Sequence, residues 1–238
     1  SPHHTASLTS LVGGGRNAIP GEISLAHNGV LYLDEINLFP SSVLDVLRQP
    51  LEERTISISR VRYKVLYPAS FTLVGSMNPC PCGYYGFDED VDRGHRCTCS
   101  PGIIQKYRTR ISGPLTDRID LNIRVKPVDS GKLVKGDKGE PSSVIAKRVA
   151  AVRELQLERF RNEGIFTNSQ MNAKHLQTFC PLEIETSNLC DKIIRQYSLT
   201  ARGYSRILKV ARTLADMSGS ERICSEHLLE AVQYRLLQ

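Results

Sequence analysis

The amino-acid sequence predicts an α/β region followed by an all-helical region. Three short segments predict strands: 30–34, which is apolar almost throughout as in a parallel sheet, 71–76 and 121–125. Two segments that alternate apolar and polar residues, 55–59 and 61–65, predict a hairpin with Arg60 near its tip. Beyond residue 142 the apolar residues recur at helical spacing, and we expect no strand of any length there.

The elements follow one another in a simple order. Residues 5–28 are rich in Gly and polar residues and predict loops or short hairpins. After Pro40, Ser41 can cap a helix whose apolar stripe runs from Val43 to Leu51, and residues 103–112 are helical in pattern. The predicted helices of the second region are 143–162, 172–179, 185–197, 201–217 and 225–237. Residues 1–126 thus form the α/β domain, 127–141 a linker rich in Lys, Gly and Pro, and 142–238 the helical domain.

Composition restricts the class of protein. The net charge of +6 is compatible with a polyanion such as nucleic acid as partner, and equally with an ordinary solvated basic surface. The seven cysteines form an odd set without a secretory signal, which favours reduced thiols or metal ligands and a cytoplasmic location. No apolar run approaches the ~20 residues of a membrane span. We expect the chain, which lacks an initiator Met, to be a piece of a longer protein.

Asp34 and Glu35 end the first apolar segment and are the first candidate site residues. An aspartate at the carboxyl end of a buried strand can hold Mg²⁺ through water, and a neighbouring glutamate can polarise the attacking water as a general base. The same pattern also fits a strand that ends in two solvated carboxylates. No Gly-x-x-x-x-Gly-Lys-Ser/Thr phosphate loop occurs in the chain, so only half of a nucleotide site is expected.

Three further polar residues are candidates for the same site. Asn78 ends the next core strand, where its amide can orient a water or touch a phosphate, or can simply form a turn before Pro79. Arg118, flanked by Asp117 and Asp120, is either a surface ion pair or an arginine finger for the nucleotide of an adjacent subunit. Arg202 falls in the first turn of a helix that Thr200 can cap, a position that favours anions.

The cysteines and basic residues give two more candidate sites. Cys80 and Cys82 are separated by fourteen residues from Cys97 and Cys99, so four thiolates could hold Zn²⁺, with His95 as a substitute ligand. The alternative is a set of reduced cysteines in a polar loop. Cys180, Cys190 and Cys224 lie on helical patterns and are interpreted as packing residues.

Arg60, Arg62 and Lys64 make the hairpin basic. Such a hairpin can grip a nucleic-acid backbone, which requires positive charge but no base readout. Charges on an edge hairpin can also serve only to block strand-to-strand aggregation.

The motifs in this order resemble an AAA+ ATPase of the magnesium-chelatase-like group, in particular the bacterial YifB/ComM family. The matching stretches are 2–7, 20–30, 77–83, 112–120 and 199–211, and the similarity extends over essentially the whole chain. The resemblance implies a partial AAA+ three-layer αβα core followed by an all-α lid. It also implies a homo-oligomeric ring, expected to be a hexamer, that couples ATP hydrolysis to DNA remodelling.

The resemblance also assigns roles to the candidate residues. It implies that Asp34 and Glu35 are the Walker B pair, Asn78 is sensor 1, Arg118 is the arginine finger and Arg202 is sensor 2. The chain departs from the family in lacking the phosphate loop, so we expect it to be inactive alone. In the family's strand order the missing first strand lies between the strands at 71–76 and 121–125. We therefore expect 121–125 to shift, to pair with another chain or to be poorly ordered.

Two alternative functions remain open at this stage. The protein could be the motor subunit of a metal-inserting chelatase, or a binding module with an inert nucleotide site.

Overall fold

The computed structural model describes residues 1–60, 63–86, 96–125 and 139–236, without the side chains of Arg60, Tyr63 and Leu236. The chain divides into two compact units, Ser1–Ile119 and Asp120–Gln238. The first unit combines strands with short helices, and the described part of the second contains helices but no strand. The predicted α/β region and all-helical region are therefore observed. Contacts group residues 120–125 with the second unit, whereas the sequence pattern grouped them with the first.

The first unit contains six strands and six short α-helices among its described residues. The strands are β1 (Gly13–Gly14), β2 (Ile19–Pro20), β3 (Val30–Leu33), β4 (Thr55–Arg60), β5 (Tyr63–Pro68) and β6 (Thr72–Gly75). The helices are α1 (Leu8–Val12), α2 (Glu22–Leu25), α3 (Ser41–Val46), α4 (Arg48–Glu53), α5 (Pro101–Arg108) and α6 (Gly113–Thr116).

Strands β3 and β6 form the parallel pair that the two apolar segments predict. Their register places Leu33 opposite Gly75, so both strands end at the same edge. Leu31 and Leu33 point into the core of the first unit. Val30 on the opposite face is 61% exposed. Among the described residues only one face of the pair is covered, and the expected three-layer arrangement is seen as two layers.

The strand expected at 121–125 is not formed. The segment has no regular secondary structure, and the side chain of Ile123 is 68% exposed. In its backbone, the Asn122 N–H donates to the Tyr234 carbonyl at 2.7 Å. The prediction of a strand was wrong because apolar residues at alternate positions favour a strand only where a neighbour supplies ladder hydrogen bonds, and no described strand lies beside this segment.

Two local predictions also need correction. Ser41 is the first residue of α3 rather than its cap, which is Pro40. The single helix expected through Leu51 is split at Leu47 into α3 and α4. Pro50 accounts for the split, because it has no N–H for the Val46 carbonyl and its ring clashes with that turn. The region 5–28 contains the predicted short hairpin, β1 with β2, but also helices α1 and α2 that its Gly-rich composition did not indicate.

The predicted hairpin is present as β4 and β5. They pair antiparallel from Thr55 opposite Pro68 to Arg60 opposite Tyr63. Ile56 and Ile58 are buried in the core, while Leu66 on the other face is 64% exposed. At its base the Tyr67 hydroxyl donates to the Ala18 carbonyl at 2.7 Å. The hairpin is therefore fixed at its base on one buried face.

The second unit confirms the predicted helical segments. Its helices are α7 (Ser142–Arg159), α8 (Ala173–Phe179), α9 (Ile184–Gln196), α10 (Ala201–Met217) and α11 (Ser225–Leu236). They enclose a separate apolar core that includes Phe160, Leu208 and Leu228. None of the helices in the described ranges is long and apolar enough to cross a membrane. The predicted linker at 127–141 lies mostly outside the described residues.

A buried ion cluster links α7, α10 and the segment around Asn168 in the second unit. The Asp216 side chain on α10 is 0% exposed and accepts two hydrogen bonds from Arg159 on α7, at 2.7 and 2.5 Å. Arg212 and Asn168 donate to the same carboxylate at 3.0 and 2.8 Å. Burial alone would raise the pKa of Asp216, but these donors and the two positive charges hold the pKa below its usual value.

Candidate nucleotide site and cysteine cluster

Asp34 follows β3 at the carboxyl edge of the parallel pair. Its Oδ1 accepts a hydrogen bond from the Ser76 hydroxyl, one from the Tyr32 hydroxyl at 3.3 Å and one from the Glu35 N–H at 3.1 Å. The Ser76 hydrogen bond, with smaller contributions from Tyr32 and the Glu35 backbone, lowers the pKa of Asp34. An exposed carboxylate held ionised at a strand end is a suitable ligand for a hydrated divalent cation.

Glu35 turns the chain out of the strand. Its backbone is left-handed, with φ 49° and ψ 49°, a conformation that non-glycine residues rarely adopt. Its N–H donates to Asp34 and, at 3.3 Å, to the Ser76 hydroxyl. Its carboxylate is exposed, with Oε2 3.9 Å from His4 Nδ1. This turn places Glu35 directly after Asp34 at the end of β3.

Asn78 lies just beyond the end of β6. Ser76 continues the pairing, since its N–H donates to the Leu33 carbonyl at 3.1 Å and its carbonyl accepts from the Ile36 N–H at 2.9 Å. Asn78 is two residues further on and is exposed. The structure therefore brings the ends of β3 and β6 together, as the sequence predicts, with Asn78 at the same edge as the acid pair.

Arg118 is in the first unit but is engaged elsewhere. Its side chain is 9% exposed, and its guanidinium pairs with Glu52 at 2.9 Å. It also donates to the Arg48 carbonyl at 3.1 Å and to the Pro114 carbonyl at 2.6 Å. The ion pair that the sequence left open exists, and Glu52, which is distant in the sequence, is a partner in it.

Arg202 belongs to the second unit. Thr200 caps α10 as predicted, because its hydroxyl accepts a hydrogen bond from the Gly203 N–H at 3.1 Å. Arg202 is exposed in the first turn of that helix. In the same unit Arg206, one turn later, forms an ion pair with Asp120.

The four candidate cysteines converge. The thiols of Cys80, Cys82, Cys97 and Cys99 all lie within 4.8 Å of one another. The sulfur of Cys80 is 3.2 Å from that of Cys82 and 3.7 Å from that of Cys97, and the Cys82 and Cys97 sulfurs are 3.6 Å apart. All seven cysteines of the chain are free thiols. His95, the predicted substitute ligand, lies outside the described residues.

The neighbouring groups also give Cys82 and Cys97 different pKa values. A hydrogen bond from the Tyr84 backbone, aided by the Cys80 thiol, lowers the pKa of Cys82 to about 6. The Cys99 backbone lowers the pKa of Cys97, but burial and the neighbouring thiols outweigh it and raise that pKa to about 12. The Cys82 thiolate therefore forms more readily than that of Cys97.

The basic hairpin is described only in part. Lys64 is exposed and lies opposite Ser59, next to the last described pair, Arg60 with Tyr63. Arg60 ends β4, and its side chain, like all of Arg62, lies outside the described residues.

Three residues near the candidate sites were missed from the sequence. Ser76 could have been found, because parallel register places it beside Asp34 once Val30 and Thr72 are aligned. His4 and Glu52 carry no local signal, because each reaches its partner through tertiary contacts.

Comparisons with known proteins agree with the motif resemblance. The sequence model of the family "Magnesium chelatase, subunit ChlI" matches residues 1–133, and that of "Magnesium chelatase, subunit ChlI C-terminal" matches residues 139–235. The chain is 44% identical over 238 residues to competence protein ComM of Haemophilus influenzae and 43% identical to YifB of Escherichia coli. The aligned region is 100% of this chain and 45% of each of these two proteins.

A more distant relative is the chloroplastic magnesium-chelatase subunit ChlI-2 of Arabidopsis thaliana, 23% identical over 207 residues, which are 87% of this chain and 42% of that protein. Both halves of the chain thus match one family, and the similarity to ComM and YifB is continuous. The chain belongs to the magnesium-chelatase ChlI family, within which it resembles the YifB/ComM proteins.

Proposed function

We propose that Asp34 and Glu35 form the magnesium-binding and water-activating half of an AAA+ ATP-hydrolysis site. The observation that carries the proposal is the Asp34 carboxylate, fixed by Ser76 where two parallel strands end together. Asp34 would hold Mg²⁺ through water, and Glu35 would polarise the attacking water. Asn78, at the same edge, would orient that water or contact the terminal phosphate.

The phosphate cradle of this site has to come from outside the chain. The sequence contains no phosphate loop, so this chain alone is expected to show no magnesium-dependent ATP turnover. The full-length protein is expected to hydrolyse ATP, and Asp34→Asn to raise the Mg²⁺ concentration that it requires. Asp191→Asn, at an exposed position of α9, is the matched control. Turnover by this chain alone, or an unchanged Mg²⁺ requirement in the Asp34 variant, would contradict the proposal.

Residues 1–126 and 142–238 are proposed as the AAA+ core and lid, joined by the linker 127–141. In a homo-oligomeric ring, proposed as a hexamer, Arg118 would act on the nucleotide of an adjacent subunit and Arg202 would bind a phosphate. Arg118 would first have to leave Glu52. Mass measurement of the full-length protein with ATP is expected to show the ring, and a monomer under saturating ATP would contradict it.

DNA is the proposed substrate of the motor, in a branch-migration or helicase-like activity. The supporting observation is the exposed Lys64 beside the turn of a hairpin whose other face is buried in the core. With Arg60 and Arg62 it would contact the phosphate backbone without base readout. The free-thiol chemistry of the cysteines is in keeping with a cytoplasmic location.

The hairpin proposal has a direct test in the full-length protein. Arg60→Ala with Lys64→Ala is expected to weaken DNA binding equally for all sequences, and to reduce the salt dependence by about 0.9 for each lost phosphate contact. Lys174→Ala with Lys192→Ala removes two exposed charges from the helical unit as a control. Unchanged affinity and salt slope in the hairpin variant would count against DNA contact.

A metal-inserting motor is the second candidate, favoured by the match to magnesium-chelatase subunits. A third is a binding module with an inert nucleotide site. Stimulation of ATP turnover by DNA in the full-length protein would support the first candidate. Stimulation only by a chelatase partner would support the second, and ATP binding without turnover would support the third.

The four clustered cysteines are proposed to hold one structural Zn²⁺ ion. In a tetrahedral thiolate site with Zn–S distances of about 2.3 Å, neighbouring sulfurs are about 3.8 Å apart. The sulfurs of Cys80, Cys82 and Cys97 are 3.2 to 3.7 Å apart, slightly less than that value. An all-sulfur ligand set favours zinc over magnesium or calcium.

A further inference from the structure

We infer that a metal ion in the cysteine cluster acts on the nucleotide site, because it fixes the chain segment that carries Asn78. This inference rests on the proposed role of Asn78 in ATP hydrolysis. The cluster itself is a set of four described thiols, and its metal content can be measured whatever the nucleotide site does.

The segment around Asn78 has a firm anchor on one side. Ser76 is bound to β3 through both its backbone groups and to Asp34 through its hydroxyl. The position of Ser76 is therefore set by the same hydrogen bonds that hold the acid pair.

Its other anchor is Cys80. This thiol is buried, lies within 3.7 Å of two other sulfurs and accepts a hydrogen bond from the Tyr85 N–H at 3.4 Å. Only Met77, Asn78 and Pro79 separate the two anchors, and Pro79 has a restricted φ. Both ends of this three-residue segment are fixed, and each residue spans at most about 3.6 Å. The backbone of Asn78 therefore has few accessible conformations.

The ion would strengthen the anchor at Cys80, because the described part of the loop lacks regular secondary structure. The described parts of the cysteine loop, 80–86 and 96–100, contain no helix or strand. Tyr84 and Tyr85, the large side chains in these parts, are both substantially exposed. The burial of these two side chains is incomplete, and metal binding would add free energy that orders the described parts of the loop.

The geometry of the four thiols also suits a shared cation. Four sulfurs this close repel one another when ionised, and a divalent ion converts that repulsion into ligation. A disulfide would need a sulfur–sulfur distance of about 2.05 Å, well below the 3.2 Å between Cys80 and Cys82. The cluster is thus arranged for one shared ion rather than for a covalent bridge.

The test uses the full-length protein and compares Cys97→Ser with Cys99→Ser, made together, against Cys224→Ser at an exposed position in the helical unit. The wild type and the Cys224 variant are expected to contain one zinc per chain, and to give thiolate–cobalt absorption bands after Co²⁺ replacement. The double variant is expected to lose both signals. Its kcat for ATP should fall about 10- to 100-fold while the Kd for ATP stays within about threefold.

A second comparison separates positioning from general damage. Asn78→Ala should lower kcat by itself but should add little to the loss in the cysteine double variant, because both changes remove the same positioned amide. If the cysteine variant misfolds, removal of zinc from the wild type with a chelator and restoration with Zn²⁺ replaces it.

The possible outcomes separate the two proposals. If protein prepared with excess zinc holds no bound metal and has four titratable thiols, the proposed site is refuted. Loss of zinc with unchanged kcat, or full additivity with Asn78→Ala, would overturn the coupling. An inactive wild type that still binds zinc stoichiometrically would refute the proposed hydrolysis, and with it the coupling, while leaving the metal site established.

Discussion

Replacement of Asp216 by Asn should destabilise the helical unit far more than a surface change of the same kind. Asn is nearly the same size, so the substitution leaves no cavity. It removes the negative charge that pairs with Arg159 and Arg212, whose side chains are largely buried. Breaking a buried ion pair by removing one partner costs about 3–5 kcal/mol, because the remaining charge stays uncompensated. Here two guanidinium groups share one carboxylate, so we expect a value in that range.

Urea unfolding followed by far-UV circular dichroism measures the effect, since the long helices belong to the second unit. With an m value of about 2 kcal/mol/M, the midpoint should fall by about 1.5–2.5 M. Asp191→Asn, exposed on α9, should change stability by less than about 0.5 kcal/mol. A loss below about 1 kcal/mol for Asp216→Asn would refute the view that this cluster holds α7 and α10 together.

The same pair of proteins has a defined pH dependence. The pKa of Asp216 is lowered in the folded state, so the unfolded state binds more protons on acidification and stability falls. The stability difference between wild type and Asp216→Asn should be full above about pH 4, the ordinary range for Asp. It should shrink as the pH falls through the lowered pKa of Asp216. A difference that stays constant over this acid range would contradict the assignment.

Two further predictions concern the first unit. Ser76→Ala should raise the pKa of Asp34 toward its ordinary value, because the strongest hydrogen bond to that carboxylate is lost, whereas Ser57→Ala on the exposed hairpin face should not. A carboxyl titration followed by NMR decides this, and equal pKa values in both variants would refute it. Ile58→Ala should destabilise the unit by about 2–4 kcal/mol, and Leu66→Ala on the opposite face by less than about 1 kcal/mol, as measured by urea unfolding. Similar losses would contradict the described register.

Strand ends and helix periods were predictable because they depend on local pattern. The apolar segments at 30–34 and 71–76 do form neighbouring parallel strands, and the helical period beyond 142 does give five α-helices in the described residues. The segment 121–125 has apolar residues at alternate positions but no described strand beside it, so the local pattern alone was insufficient. A strand forms only when a neighbouring strand supplies hydrogen bonds, and the local sequence pattern does not show whether such a neighbour is present.

The candidate site shows the same division. Asp34, Asn78 and the four cysteines were recognisable because their spacing along the chain already suggests a shared edge or a shared ion. The Glu52 partner of Arg118 was not, because an ion pair between residues this far apart depends on how the helices pack. Pro50 indicates the helix break at Leu47, but the apolar stripe favoured the prediction of one continuous helix.

The most direct test of the central claim is magnesium-dependent ATP turnover by the full-length protein and its Glu35→Gln variant. If Glu35 is the general base, the variant should bind ATP with nearly unchanged affinity while kcat falls by about 10²- to 10⁴-fold. A Glu35→Gln protein that hydrolyses ATP at the wild-type rate would show that the strand-end acid pair is not the hydrolytic centre.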